Sequence, residues 1–272
     1  MYKEYYQLTE NPFNITSDPD FFFSSLHHRE AYSHLQYGIS QRKGIIVITG
    51  EIGTGKTTLC RTFLNRLDDN TKTALILNPN FSALQLLQLI VKDLGIQGRL
   101  RNKFDLVNAL NEFLLNESSL GNNVVIIVDE AQNLGVKQLE QIRLLSNLET
   151  EKEKLLQIVL IGQPELHDLL KLPNLRQLNQ RVSVRYHILP LSKDELHEYI
   201  VHRLNIANSP INLTPKVTFS NEAINAIYRL SKGTPRMINI ICDRALLAGF
   251  AIGTYTIDEN IVYESVKEVG CK

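Results

Sequence analysis

The chain has 272 residues, more than a typical single domain, which predicts one large domain or two unequal ones. Hydrophobic residues make up 43% of it and charged residues 21%, proportions typical of a soluble globular protein. The 29 Lys and Arg residues balance the 29 Asp and Glu residues, so a nucleic-acid partner is not expected. The apolar runs are too short to cross a bilayer, and the start MYKEYYQLTE lacks the apolar core of a signal peptide. We therefore expect a cytoplasmic chain without a membrane span.

Three cysteines, Cys60, Cys242 and Cys271, are widely spaced and odd in number. This argues against a disulfide framework or a metal site and fits a reducing compartment. Cys60 and Cys242 have apolar sequence neighbours, which favours small buried core residues over reactive thiols.

Residues 1–43 are expected to form an N-terminal strap followed by a helix. The segment NPFNITSDPDFFFSS is aromatic and rich in turn residues, and HHREAYSHLQYGISQRK has the pattern of a helix that leads into a first strand. The strap either packs near a bound ligand or is a structural cap with no ligand contact.

Residues 44–191 alternate short β-branched runs with longer amphipathic segments such as FSALQLLQLIVKDLG and LVNALNEFLLNE. Runs that are apolar without alternation are typical of strands buried on both faces of a parallel sheet. This rhythm predicts a doubly wound α/β domain. The strand candidates are GIIVITG, TALILNP, VVIIVDE, LQIVLIG and VRYHILPL, which begin at Gly44, Thr73, Val124, Leu156 and Val184.

Residues 192–272 show no strand signal and predict a small α-helical domain. SKDELHEYIVHRLNIA begins with Ser192 and Glu195 at capping-box spacing. SNEAINAIYRLSKG ends at Gly233, a residue suited to the position just after a helix. TPRMINIICDRALLAGFAIG has Pro235 near its first turn, and DENIVYESVKEV is the fourth predicted helix.

The segment GEIGTGKTT directly follows the first strand candidate and matches the pattern G-x-x-x-x-G-K-[ST]. Its glycines let the backbone curl so that N–H groups point at phosphate oxygens, and the following helix adds its positive N-terminus. Lys56 would reach the terminal phosphates and the Thr57 hydroxyl would bind Mg²⁺. The alternative is a glycine-rich turn without a ligand. The candidate nucleotide-binding residues of this segment are Gly50, Glu51, Ile52, Gly53, Thr54, Gly55, Lys56, Thr57 and Thr58.

Polar side chains follow two further strand candidates, at the sheet edge where ligands bind in such folds. In VVIIVDEAQ, Asp129 would hold Mg²⁺ through its water shell and Glu130 would polarise an attacking water. By itself this pair is often only a solvated strand end, but after a phosphate-binding loop it favours hydrolysis over phosphoryl transfer to a small molecule. In LIGQPEL, Gln163 is either a sensor between the γ-phosphate and that water or a turn residue that caps the next helix.

Arginines follow in LPNLRQLNQRVSVRYHILPLS, at Arg176, Arg181 and Arg185. An arginine supplied across an interface commonly completes phosphoryl transfer, because guanidinium neutralises charge in the transition state. Arg181 is the first candidate and Arg176 the second. The alternative is exposed arginines on a solvated helix end.

The segment GTPRMIN has Arg236 in the first turn of a predicted helix, where a cation is unfavourable unless an anion is nearby. The γ-phosphate of a bound nucleotide would supply that anion. The alternative is a carboxylate partner such as Asp243 or Glu195.

A resemblance to AAA+ ATPases is carried by GEIGTGKTT, VVIIVDEAQ, LIGQPEL, LNQRVSVRYHILPLS and GTPRMIN. The chain looks most like the ExeA/GspA group of bacterial type II secretion, with its MshM-like relatives in pilus biogenesis. Because YYQLTENPFNITSDPDFFF and HHREAYSHLQYGI also match that group, the resemblance covers nearly the whole chain.

The resemblance implies a P-loop sheet of strand order 5-1-4-3-2 in residues 44–191 and an α-helical lid in residues 192–272. It also implies ATP or ADP and Mg²⁺ as ligands. The site residues it implies are Walker A at Gly50 to Thr58, Walker B at Asp129 and Glu130, sensor 1 at Gln163, an arginine finger at Arg181, and sensor 2 at Arg236.

The leading hypothesis is a Mg²⁺-dependent ATPase that drives assembly of a secretion or pilus complex at the cytoplasmic face of the bacterial inner membrane. Its expected partners are other copies of the chain, through a shared ATP site, and an inner-membrane secretion or pilus-assembly protein. ExeA/GspA proteins continue into a transmembrane helix and a peptidoglycan-binding region, whereas this sequence stops at Lys272. It therefore corresponds either to the cytoplasmic part of such a protein or to a shorter relative, and the peptidoglycan role does not transfer to it.

Other classes of protein remain as alternatives. The group also resembles transposition ATPases of the TnsC type, so one alternative is an ATP-dependent DNA-binding regulator. Another is a nucleotide-gated interaction module with negligible hydrolysis, against which Glu130 argues. Adenine contacts are open as well, since Tyr199 and residues 12–15 are candidates but are also explained by core packing.

Overall fold

The computed structural model describes residues 1–77, 79–98, 100–151, 153–209 and 214–267. Cys271 lies outside these ranges. The described chain divides into two compact units. The first unit comprises Met1–Leu26, Gly53–Leu59 and the chain from Leu189 onward, and the second comprises His27–Ile52 and Cys60–Ile188.

Helices account for most of the regular structure. Short 3₁₀ turns cover Pro19–Phe21, Ala131–Asn133 and Pro173–Leu175. Among the described residues, no helix has the length and hydropathy needed to cross a bilayer. The α-helices, in chain order, are α1 (Tyr2–Tyr6), α2 (Leu26–Ser40), α3 (Lys56–Leu64), α4 (Ala83–Asp93), α5 (Lys103–Ser119), α6 (Val136–Leu145), α7 (Glu165–Leu170), α8 (Arg176–Gln180), α9 (Lys193–Ala207), α10 (Asn221–Ser231), α11 (Pro235–Ala251) and α12 (Glu259–Lys267).

The second unit is built on a five-stranded parallel sheet of order β2-β3-β4-β1-β5, which confirms the predicted P-loop topology. Strands β1 and β4 are buried along their whole length, as their continuous apolar runs require. Strand β2 begins two residues before its apolar run, because Thr71 and Lys72 pair with Asn123 and Val124 of β3. The strands are β1 (Ile45–Gly50), β2 (Thr71–Ile76), β3 (Asn123–Val128), β4 (Gln157–Gly162) and β5 (Val182–Ile188).

The first unit is mainly helical, and the N-terminal strap belongs to its core. Tyr6, Phe13 and Phe21 are buried in one apolar cluster with residues of α9, α10 and α11. The Thr9 N–H donates to the Ala207 carbonyl at 2.8 Å, so the strap is also bound through its backbone.

Two two-residue strands in the first unit, β6 (Thr218–Phe219) and β7 (Thr256–Ile257), pair in parallel. The expectation that strand structure ends at Leu191 is therefore wrong. Strands of two residues are too short to leave an apolar run in the sequence, and their pairing joins segments far apart in the chain.

Local signals explain where the helices begin. The Ser192 hydroxyl accepts the Glu195 N–H at 3.3 Å and the Glu195 carboxylate accepts the Ser192 N–H at 2.9 Å, which completes the predicted capping box of α9. Ser82 and Gln85 form the same arrangement at the start of α4. Pro235 occupies the first turn of α11, where its missing N–H costs no helical hydrogen bond.

Candidate functional site

The phosphate-binding candidate is the turn between the end of β1 at Gly50 and the start of α3 at Lys56. Gly53 and Gly55 have φ angles of +81° and +90°, a left-handed conformation that glycine adopts without steric cost. Within this turn Thr54 and Lys56 are buried, Thr57 and Thr58 are half-buried, and Glu51 and Ile52 are exposed. The glycine pattern therefore produces the curled backbone that this type of turn requires.

Gly53 contacts the start of α11 within the first unit. The backbone N–H of Arg236 donates to the Gly53 carbonyl at 3.2 Å. A Cβ atom on Gly53 would lie 2.6 Å from the Arg236 Cβ and 3.3 Å from the Thr234 Cγ2. Glycine at position 53 thus permits both the left-handed backbone and the close approach of Arg236 and Thr234.

The Arg236 side chain is exposed, and it makes no ion pair with any residue that the structure describes. Its two candidate carboxylate partners have other contacts. Asp243 accepts a hydrogen bond from the Tyr2 hydroxyl at 2.5 Å, and Glu195 accepts the N–H of Leu26 at 2.8 Å. The carboxylate-paired alternative for Arg236 is therefore not observed.

The two carboxylates follow β3, and Asp129 is buried. Its backbone N–H donates to the Ile76 carbonyl at 2.9 Å, which extends the pairing of β3 with β2 by one residue. The next N–H, that of Glu130, donates to Asp129 Oδ1 at 2.9 Å and so orients the carboxylate. Glu130 itself has φ 53°, an uncommon conformation for a residue with a side chain.

The Glu130 carboxylate is in contact with Gln163. Gln163 Nε2 donates to Glu130 Oε2 at 3.2 Å. Gln132, a residue that the sequence analysis did not single out, donates to the same Oε2 at 2.5 Å, and its Oε1 accepts the Gln163 backbone N–H at 3.0 Å. The only signal for Gln132 in the sequence was its position two residues after Glu130.

Two cysteines lie in the core, as the sequence indicated. Burial, with a further contribution from the charge of Asp129, raises the pKa of the Cys60 thiol to about 12. Burial also raises the pKa of the Cys242 thiol well above its usual value. Both groups are therefore protonated thiols at neutral pH, which makes them poor nucleophiles.

The three arginines near β5 differ in environment. Arg176 is exposed at the start of α8, and Arg181 is half-buried at its end. Arg185 donates to the Asn179 side chain at 2.5 Å and to its carbonyl at 3.0 Å. Lys154 and, to a smaller extent, Arg181 lower the pKa of Glu149.

A second group that the sequence analysis missed surrounds Thr49, the residue before Gly50. The buried Thr49 hydroxyl lies 3.0 Å from His167 Nε2 and 2.9 Å from His187 Nδ1. Burial is the largest cause that lowers the pKa of His167, and the charge of Arg185 adds to it. Three strand and helix ends, from β1, α7 and β5, are thereby joined by side chains.

The candidate adenine contacts have clear partners in the first unit. The Tyr199 hydroxyl donates to Asn239 Oδ1 at 2.8 Å, and Arg203 donates to the Pro12 and Asn14 carbonyls at 2.5 and 3.2 Å. Tyr199, Arg203 and Asn239 are all buried. Core packing, together with a buried polar network, therefore accounts for Tyr199.

The donor set suits a hard cation. Thr57 offers a hydroxyl and Asp129 a carboxylate, and both are the oxygen ligands that Mg²⁺ prefers. The residues present thus fit the predicted ion by their chemistry.

Comparison with known proteins supports the family indicated by these motifs. A family model described as an AAA domain matches residues 39–170. General secretion pathway protein A of Aeromonas hydrophila is 45% identical over 275 residues, which cover 99% of this chain and 48% of that protein. ATP-dependent target DNA activator B of Escherichia phage Mu is 29% identical over 143 residues, which cover 53% of this chain and 42% of that protein. The chain thus spans less than half the length of either relative.

A solved structure shares the fold at low sequence identity. The Aeropyrum pernix ORC2 protein, in ADPNP–ADP complexes, superposes with a TM-score of 0.67 at 16% sequence identity. The superposition covers 95% of this chain and 72% of the ORC2 chain. Residues 39–170 therefore match an AAA domain, and the resemblance to the ExeA/GspA group that the motifs indicate is confirmed.

Proposed function

We propose that the chain is a Mg²⁺-dependent ATPase that converts ATP to ADP and phosphate. The observation that carries this proposal is the hydrogen bond between Gln163 and Glu130 at 3.2 Å. It joins the polar residue after β4 to the candidate base after β3, at the carboxyl ends of the strands. An amide and a carboxylate in contact are the pair needed to orient a water molecule and accept its proton.

Each residue has a distinct role in the proposal. The curled turn with Gly53 and Gly55 would present backbone N–H groups to phosphate oxygens, and Lys56 would neutralise the terminal phosphates. Glu130 would accept the proton of the water that attacks the γ-phosphorus. Gln163 would orient that water.

The remaining residues of the proposal neutralise the negative charge of the phosphates, either through Mg²⁺ or through an arginine. Thr57 and Asp129 would bind Mg²⁺, which supplies neutralisation of phosphate charge when bound. The exposed cation of Arg236 is proposed to contact the γ-phosphate, and Arg181 to act on the site of another copy of the chain.

The proposed role in the cell follows from the similarity to General secretion pathway protein A. General secretion pathway protein A suggests that this ATPase serves a secretion or pilus assembly at the bacterial inner membrane, with other copies of the chain and an inner-membrane protein as partners. This part of the proposal depends on similarity over 48% of that protein.

The direct test is Glu130→Gln, measured by phosphate release and by binding of a fluorescent ATP analogue with and without Mg²⁺. We expect turnover to fall by at least about 100-fold while nucleotide affinity stays within a fewfold of the wild type, because only the proton acceptor is removed. Glu165→Gln, an exposed carboxylate in the first turn of α7, is the matched control. Undiminished turnover in Glu130→Gln would reject Glu130 as the base.

A DNA-binding regulator is a second candidate, favoured by the similarity to target DNA activator B of phage Mu. The balanced charge of the chain argues against it. A mobility shift of duplex DNA that requires ATP and weakens with salt would support this alternative. No shift at low salt, in the presence of measured ATPase activity, would exclude it for this chain.

A further inference from the structure

Three polar groups meet between the ends of β3 and β4. Gln132 Nε2 and Gln163 Nε2 both donate to Oε2 of Glu130, at 2.5 and 3.2 Å, and neither contacts Oε1. All three side chains are half-buried. The carboxylate is thus held through one oxygen, Oε2, and Oε1 accepts a hydrogen bond from neither amide.

The orientation of the Gln132 amide is determined by its neighbours. The Gln163 backbone N–H is a donor only, so the group that faces it at 3.0 Å must be the Gln132 oxygen. The Glu130 carboxylate accepts only, so the group that faces it must be the Gln132 NH₂. At neutral pH an ionised carboxyl group at this position would supply the acceptor but not the donor.

The backbone of β4 is shaped for this amide. A Cβ atom on Gly162 would lie 2.9 Å from Gln132 Oε1 and 3.1 Å from Leu166 Cδ2. Gly162 therefore leaves room for Gln132 to lie across the end of the strand.

We propose that Gln132 is a positioning residue for Glu130, which fixes the carboxylate so that Oε1 is directed to the attacking water. The inference deepens the proposed ATPase function and rests on it. Gln132 acts through Glu130 and has no role of its own in contact with the substrate.

The first experiment replaces the amide by a side chain of similar length. For Gln132→Met we expect kcat to fall roughly 10- to 100-fold with nucleotide affinity unchanged, because a base that is no longer fixed in orientation loses much of its effect. Gln138→Met is the matched control, since Gln138 is also half-buried and donates its amide to a carbonyl, that of Phe81. Combined with Glu130→Gln, Gln132→Met should produce no further loss, as expected when one residue acts only through the other.

The second experiment removes the donor and leaves an acceptor. In Gln132→Glu the introduced carboxylate, ionised at pH 8, cannot donate to Glu130 and repels it. We therefore expect kcat at pH 8 to fall at least as far as in Gln132→Met, with nucleotide affinity unchanged.

The outcomes separate the inference from the function on which it rests. If Glu130→Gln is inactive and Gln132→Met keeps wild-type kcat, the inference alone is overturned. If the double variant is much slower than Glu130→Gln, or if Gln132→Glu keeps wild-type kcat, positioning through Glu130 is likewise rejected. If Glu130→Gln is as active as the wild type, the proposed function loses its base and the inference fails with it.

Discussion

At the scale of single residues, Gly233 lies in very tight contact with the backbone of another segment. Its φ is +76°, and a Cβ atom there would lie 2.0 Å from the carbonyl oxygen of Leu191. In return the Leu191 N–H donates to the Gly233 carbonyl at 2.9 Å, which ties the end of α10 to the segment before α9. No side chain fits this position without movement of the backbone.

We predict that Gly233→Ala lowers the free energy of unfolding by more than about 2 kcal/mol, because the left-handed strain of a side chain adds to the clash. Gly253→Ala is the control, since Gly253 has φ +75° but nothing within 4 Å of its Cβ position. It should cost only about 1–2 kcal/mol. Urea unfolding of both variants measures the difference, and equal costs would show that Leu191 moves aside freely.

His167 predicts a dependence of stability on pH. Its pKa lies below the ordinary 6.5, chiefly through burial and secondly through Arg185. The unfolded chain therefore binds a proton more readily than the folded chain, and stability falls as pH decreases below about 6.5. We expect the melting temperature to decrease less in His167→Gln than in the wild type when the pH is lowered from 7.5 to 5.5. His197→Gln, at an exposed position on α9, should behave as the wild type does; an unchanged slope in His167→Gln would contradict the prediction.

At the scale of elements, the N-terminal strap depends on one buried cation. Arg203 donates to the carbonyls of Pro12 and Asn14, and its guanidinium lies 4.7 Å from the centre of the Phe21 ring. Asn239 adds a donor to the Asn14 carbonyl at 3.0 Å. A segment with little regular structure is thus bound through backbone acceptors.

We predict that Arg203→Lys destabilises the protein, by roughly 1–3 kcal/mol for each buried acceptor left unpaired, because an ammonium group cannot reproduce the planar fork. Arg229→Lys is the control. Arg229 is exposed and paired with Glu259 at 2.6 Å, and such a pair contributes at most about 1 kcal/mol. Limited proteolysis should cut between residues 12 and 25 faster in Arg203→Lys, and equal cutting rates would show that Arg203 does not restrain the strap.

At the scale of the whole molecule, the phosphate-binding turn spans both compact units. Gly50–Ile52 falls in the second unit and Gly53–Leu59 in the first, together with Arg236. The carboxylates and Gln163 fall in the second.

If Arg181 acts on the site of another copy, specific ATPase activity should rise with protein concentration in the wild type and stay flat and low in Arg181→Ala. Arg176→Ala, at an exposed position five residues earlier, is the control and should follow the wild type. The shared site would be rejected for this chain if wild-type activity were independent of protein concentration and Arg181→Ala had the same activity as the wild type.

Much of the secondary structure and many candidate site residues could be predicted from short stretches of sequence. The continuous apolar runs that became β1, β3 and β4, the glycine pattern of the turn, and the polar residues after the strands each depend on a few adjacent residues. Burial on both faces, left-handed backbone and strand ends leave their marks within such short windows. The strand order came instead from the family resemblance, because spacing along a chain does not say which strands become neighbours.

The tertiary structure alone decided which distant side chains meet. Gln132 with the Gln163 backbone, Thr49 between His167 and His187, and Gly233 against Leu191 join residues from separate elements. The two-residue strands β6 and β7 exist only because their partners are close in space. None of these contacts leaves a periodic or compositional signal, since each depends on the packing of whole elements. The sequence by itself therefore determined the elements and the residue types at their ends, and the fold determined which of those residues act together.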